Sequence, residues 1–170
     1  MAEKAILRSV YLVFAFLSMT FLYLSVSSYY SCFLDIKSLK YLAMDVDDLV
    51  FHRPNNETYL LFNLHINNSA GGQVIILRQE FELFVAGELI RARTIDFSSN
   101  ELIIPPYDLI AREVSMEIPS FKLYLFAGEN VQCNINVRIH VRTPFGRTQV
   151  SGTYIKTLNA ESSDTILSGM

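Results

Sequence analysis

From Val131 to Val141 apolar and polar residues alternate strictly: Val131, Cys133, Ile135, Val137, Ile139 and Val141 share one parity, and Gln132 to Arg142 hold the other. This period of two marks a strand with one buried and one wet face. Pro144 and Gly146 then supply a turn, and "TQVSGTYIK" returns, so Val131 to Lys156 reads as a hairpin, with Gly152 a candidate bulge. "TYLLFNLHIN" repeats the pattern with Leu60, Phe62, Leu64 and Ile66 inward, and "NNSAGG" ends it as a loop. In "VIILRQEFELFVAGELIRARTIDF" Phe81, Leu83 and Val85 face in, and Ala86-Gly87 turns a second hairpin. Shorter runs at Leu102–Ile104, Val114–Ile118 and Phe121–Phe126 read as strands or strand edges, punctuated by Pro105, Pro106, Pro119 and Gly128. Phe33–Tyr41 reads as a first strand, while "AMDVDDLVFHRPNNET" fits strand or loop. Many short strands with frequent turn signals, and no amphipathic helix after residue 30, predict an all-β antiparallel sandwich.

The N-terminus follows a different rule. Ser9 to Leu34 contains no charged residue and no histidine, a run of about 26 residues that as a helix reaches about 39 Å, against a hydrocarbon core of about 30 Å. Three fates compete. A cleaved signal peptide would use Lys4 and Arg8 as its basic start and Ser25 or Ser27 near the cut, but the apolar part is longer than usual. Lipoprotein processing at Cys32 would have to follow the bulky Tyr29 and Tyr30. A retained transmembrane helix accounts for every feature: Tyr23, Tyr29, Tyr30 and Phe33 supply rings at headgroup depth, and charges resume at Asp35 and Lys37. We therefore expect a single-pass membrane protein, anchored in the lipid bilayer through residues 1–32. Lys4 and Arg8 upstream are balanced by Lys37 and Lys40 downstream, and the acidic Asp45, Asp47 and Asp48 count for little; the expected orientation is an exterior domain with the N-terminus in the cytoplasm.

Composition narrows the function classes. The chain of 170 residues carries a net charge of -3 and no run of Lys or Arg, so nucleic acid is not an expected partner. Cys133 falls on the apolar parity and reads as a small core residue, which separates it from Cys32 at the membrane edge. His52, His65 and His140 have no ligand-type neighbours at metal-binding spacing, and "MDVDDLVF" lacks the glycine and distal glutamate of a helix-loop-helix calcium site. No catalytic residues, metal ligands or cofactor are therefore expected. Arg138, His140 and Arg142 share a strand face and form a candidate basic binding face, for headgroups or an acidic protein partner, unless Glu80, Glu82 or Glu113 pairs with them. Gly71-Gly72 reads as a flexible turn, since no phosphate-loop Lys-Ser/Thr follows. Asn56-Glu57-Thr58 and Asn67-Asn68-Ser69 are glycosylation sequons that matter only for an exterior domain.

The order of features is telling: a membrane helix, a strand ending in "HINNSAGG", the "EFELFVAGELI" hairpin, "ELIIPPYDLIAREVSMEIP", and a final "VRIHVRTPFGRTQVSG". It resembles the late-embryogenesis-abundant type 2 family, the water-stress and hypersensitive-response domain, over roughly Leu34 to Thr157. Asn67-Asn68-Ser69 stands where that family typically has Asn-Pro-Asn. The resemblance implies a fibronectin-III-like sandwich, membrane tethering, an association with desiccation, osmotic or defence stress, and no catalytic residues. The expected organisation is a membrane anchor at 1–32, an immunoglobulin/fibronectin-III-like β-sandwich at 33–158, and a flexible tail at 159–170. The expected function is a non-enzymatic binding or protective domain. The alternative is a structural subunit of an envelope assembly or a pilus- or stator-like filament, although processing after Ala5 would leave Arg8 inside the mature helix.

Overall fold

The computed structural model describes residues 2–54, 57–97, 100–128 and 130–159, with residues 2–8 and 159 described by backbone alone. One helix, α1 (Ala2–Lys40), leads into β1 (Leu42–His52), β2 (Thr58–Asn68), β3 (Val74–Val85), β4 (Glu88–Asp96), β5 (Leu102–Ile104) and β6 (Asp108–Ile118). A 3-10 helix (Ser120–Phe126) connects β6 to β7 (Asn130–Thr143) and β8 (Gly146–Asn159).

The strands form two antiparallel sheets, β1-β2-β6 and β4-β3-β7-β8, with β5 pairing the start of β3. Alternation decides which side chains lie between them. Leu60, Phe62, Leu64 and Ile66 of β2 face Phe81 and Leu83 of β3 and the Cys133 to Val141 parity of β7, all buried. Phe62 meets Phe81 edge-on, with ring centroids 5.8 Å apart, the geometry that ring quadrupoles favour. The fold is thus the expected antiparallel sandwich, an open pair of sheets behind one long apolar helix.

Turn chemistry matches the local sequence. Ala86 and Gly87 both hold positive φ, 51° and 80°, as a two-residue hairpin of the type that follows strand twist requires. Asp48 (φ 55°) sits in a bulge of β1 between Asp47 and Val50, a conformation that aspartate tolerates. Its carboxylate accepts a hydrogen bond from Asn63 Nδ2 at 3.0 Å.

An open sandwich has two sides where the sheets do not touch through strand pairing, and here charged side chains at inward positions close both. On β4, Arg91 and Arg93 stand opposite the buried Leu83 and Phe81. Arg91 reaches Glu117 of β6 at 3.4 Å, and Arg93 donates to the Ser115 carbonyl. On β8, Lys156 stands opposite the buried Cys133 and reaches Asp47 of β1 at 3.0 Å and Asp45 at 3.7 Å. Arg112 of β6, opposite Leu64, lays its guanidinium 4.8 Å from the centre of the Phe97 ring.

Four local expectations change. Phe33–Tyr41 is no strand: residues 33–40 complete α1. Neither Gly nor Pro interrupts them, Leu34 and Ser38 lie one above the other at i, i+4 against the sandwich, and Lys37 and Lys40 suit the negative helix end. "AMDVDDLVFH" is strand, its ambiguity caused by the bulge at Asp48. Phe121–Phe126 is 3-10 helix, with Leu123 and Phe126 buried and Phe121 and Tyr124 exposed. Gly152 marks no bulge, because β7 and β8 pair without a register shift. Instead a Cβ there would lie 2.5 Å from the Tyr154 hydroxyl, so glycine leaves room for that ring. Of the expected tail at 159–170, Asn159 ends β8 instead, paired with Asn130, and residues 160–170, like the sequon asparagine Asn56, lie outside the described residues.

Candidate functional site

The four residues expected at a membrane interface lie together on α1. Tyr23, Tyr29, Tyr30 and Phe33 are all exposed. α1 is the one helix among the described residues long and apolar enough to cross a membrane, and none of its most apolar stretch is buried in the sandwich. A core helix of a soluble domain would bury that stretch; here it is free for another solvent.

Where α1 meets the sandwich, the contact is specific. Ser38 is fully buried. Its hydroxyl accepts a hydrogen bond from the Gly72 N–H at 3.0 Å, and can donate to the Leu34 carbonyl at 2.9 Å or the Gly72 carbonyl at 3.0 Å. Asn68, also fully buried, donates from Nδ2 to the Gly72 carbonyl at 2.7 Å and to the Pro105 carbonyl at 2.9 Å, while its Oδ1 accepts from the Ala70 N–H at 3.3 Å. The Tyr107 N–H donates to the Ala70 carbonyl at 3.1 Å. One network therefore ties the last turns of α1 to the β2–β3 loop and the β5–β6 turn. Gly72 is required by close approach: a Cβ there would lie 2.6 Å from the Leu34 carbonyl group. The expected flexible Gly-Gly turn is thus a fixed joint, with α1 running through to Lys40 and β1 starting at Leu42. Ser38 and Gly72 carry no local sequence signal for this, since they lie 34 residues apart along the chain, and Asn68 reaches Pro105 across 37.

The candidate basic face is assembled and largely compensated. Arg138, His140 and Arg142 do share the outer face of β7, where Arg138 pairs with Glu82 at 3.1 Å and Glu80 at 3.8 Å. His140 Nε2 lies 3.2 Å from Glu80, and Arg142 pairs with Glu101. Glu80 and Glu82 are among the partners the sequence suggested; Glu101 takes the place of Glu113. A face whose charges meet at such distances offers little net field to an outside anion.

Beside the β4–β6 closure lies a groove of about 290 Å³ lined by Tyr59, Arg91, Ala92, Arg93, Ser115, Met116 and Glu117. The Tyr59 hydroxyl donates to Glu57 at 2.6 Å, which holds its pKa above the ordinary tyrosine value. Arg91 and Arg93 are already engaged with β6, so the groove's polar groups point at one another. Cys133 is sealed in the core, and burial pushes its thiol up to about 12, which leaves almost no thiolate at neutral pH. Among the described residues no group of three or more His, Cys, Asp or Glu is placed to hold a metal ion.

No family model matches the chain, and no curated protein does. Solved structures share its fold. The solution structure of AT1g01470 from Arabidopsis thaliana is similar with a TM-score of 0.55 and 16% identity, over 68% of this chain and 80% of that one. A "putative late embryogenesis abundant (LEA) protein At2g46140.1" matches with a TM-score of 0.50 and 14% identity, over 79% and 87%. A protein from Archaeoglobus fulgidus matches at 0.50 and 8% identity, over 69% and 96%. The sandwich is therefore LEA-like in fold.

Proposed function

We propose that this chain is a membrane-tethered, non-enzymatic β-sandwich domain that acts by binding or protection. The observation that carries the proposal is the continuity of α1: an uncharged, exposed stretch of bilayer-crossing length runs without a break into a buried hydrogen-bonded joint with the sandwich. A cleaved signal would have no use for a helix continuing rigidly into the domain. The domain is placed on the exterior side, with the N-terminus in the cytoplasm, the orientation that the vesicle test below checks, since Lys4 and Arg8 are balanced by Lys37 and Lys40. The fold shared with the "putative late embryogenesis abundant (LEA) protein" supports a role in desiccation or osmotic stress, read by analogy of fold. Engaged charges in the groove and on the basic face, and an inert buried thiol, support binding over catalysis.

The test is intact mass and protease accessibility of the full chain in sealed vesicles of known orientation. The proposal expects a full-length mass and cleavage of the sandwich from the outside. A chain beginning near Ser28 or Cys32 would remove the tether. A turnover that vanishes on mutation of one buried polar residue would remove the non-enzymatic assignment.

A further inference from the structure

Strand register gathers four chain segments at the helix end of the sandwich. Leu42 pairs with Asn68, Asn68 with Asp108, Val74 with Ile104 and Ile75 with Arg142. The α1–β1 junction, the β2–β3 loop, the turn at 105–107 and the turn at 144–145 therefore surround the foot of α1. Phe145 and Tyr107, the most exposed large apolar side chains off α1 among the described residues, at 82% and 76%, both belong to this end.

Tyr107 is held there against local preference. Its φ is 56°, the left-handed region, where a bulky non-glycine residue is an outlier that surrounding structure must enforce. The enforcement is visible: its N–H is fixed to Ala70, and its hydroxyl lies 3.1 Å from where a Gly71 Cβ would stand. The ring is thus fastened to the same loop that is locked to Leu34 and Ser38.

Depth follows from the joint. Leu34 is the last residue of the uncharged run, and Gly72 touches its carbonyl. Tyr29, Tyr30 and Phe33 lie within about 8 Å of it along the helix axis. The turns around the foot of α1 consequently stand at the level where interfacial aromatic rings reside. Cations Lys40 and Arg147 are exposed at this end and Lys37 rests over Tyr41, while Arg142 is paired with Glu101 and Asp35 and Asp108 add opposing charge nearby. The rings, not a net charge, distinguish the surface.

We infer that the helix end of the sandwich is a lipid-contacting base, in which Phe145 and Tyr107 enter the headgroup region of the bilayer that α1 crosses. This rests on the tether proposed above. The opposite end also exposes aromatics, Phe121 and Tyr124, but it faces away from the foot of α1 and serves as the internal control.

The chain contains no tryptophan, so single substitutions create unique emitters. Full-length Phe16→Trp, Phe145→Trp and Phe121→Trp would be reconstituted in phosphatidylcholine vesicles, with and without phosphatidylglycerol. The expected result has three parts. Phe16→Trp is quenched by lipids brominated deep in the acyl chains. Phe145→Trp is quenched by lipids brominated near the headgroup, in both compositions, and is shielded several-fold from acrylamide. Phe121→Trp behaves as in water. If Phe145→Trp matches Phe121→Trp while Phe16→Trp is quenched, the base is free of lipid and the inference falls with the tether intact. If Phe16→Trp is not quenched by lipid, the tether falls and the inference with it.

Discussion

Replacing Ser38 by alanine removes the side-chain hydroxyl that bonds α1 to the Gly72 backbone. The Gly72 N–H, bonded to it at 3.0 Å in a fully buried setting, would then lack its acceptor, while the Gly72 carbonyl keeps Asn68 at 2.7 Å. Stranding one buried donor costs about 1–3 kcal/mol. At about 2 kcal/mol, and about 4 °C per kcal/mol for a domain of this size, the midpoint of thermal unfolding should fall by about 8 °C. Gly72→Ala should cost at least as much, because its Cβ would meet the Leu34 backbone at 2.6 Å and backbone cannot swing aside as a side-chain tip can. Separation of α1 from the loop should also broaden the distance distribution between one spin label on α1 and one on β8. Ser31→Ala, at an exposed site on the same helix, should stay within about 0.5 kcal/mol of the parent. Ser38→Ala and Gly72→Ala variants that melt with Ser31→Ala and keep a narrow distribution would refute the joint.

Phe62→Ala should destabilise the sandwich by about 3–5 kcal/mol in urea unfolding, since the ring is 1% exposed and packs on Phe81; an unchanged midpoint would take it out of the core. Maleimide at neutral pH should leave Cys133 unlabelled in the folded chain and modify it once urea opens the core, a contrast that mass spectrometry reads directly. The pKa of Lys156 is raised above its ordinary value of 10.5, chiefly by the hydrogen bond to Asp47. The stability it contributes is therefore complete below 10.5 and is lost as pH climbs through the higher folded value. A Lys156→Met variant should lose less stability than the parent over that alkaline range, and an identical pH profile would count against the closure of the β1–β8 side.

Some of this architecture was legible because a single side chain's parity decides its solvent. The alternation in β2, β3 and β7 identified their buried faces residue by residue, and the uncharged run from Ser9 identified a helix of bilayer-crossing length. Residues 33–40 misled because Leu34 and Ile36 alternate with Asp35 and Lys37 while Leu34 and Ser38 recur at four, and eight residues support either period. What selects the helix is Gly72, 34 residues from Ser38. The run at Phe121–Phe126 had the same weakness, a short apolar segment between Pro119 and Gly128 whose 3-10 turns bury only Leu123 and Phe126. The basic face was legible as a face, but its neutrality depends on partners from other strands: Leu102–Ile104 was readable as a strand, whereas its pairing with β3, which brings Glu101 to Arg142, was not. Arg91 and Arg93 hid in plain alternation: they occupy inward parity, where cations read as a broken pattern rather than as a closure between sheets.

That closure has a consequence for crowding. Under the tether proposed above, copies of the domain would share a plane and meet edge to edge far more often than copies free in three dimensions. An exposed strand edge in such a layer is a template for pairing with the next molecule. Here a strand arriving at β8 or β4 meets edges from which Lys156, Arg91 and Arg93 turn inward toward carboxylates or a carbonyl of the opposite sheet, and full pairing would mean stripping those ions of partner and water together. Dense packing under that tether would disfavour pairing through the β4 and β8 edges and leave the sheet faces and the two ends as the ground on which neighbours can touch.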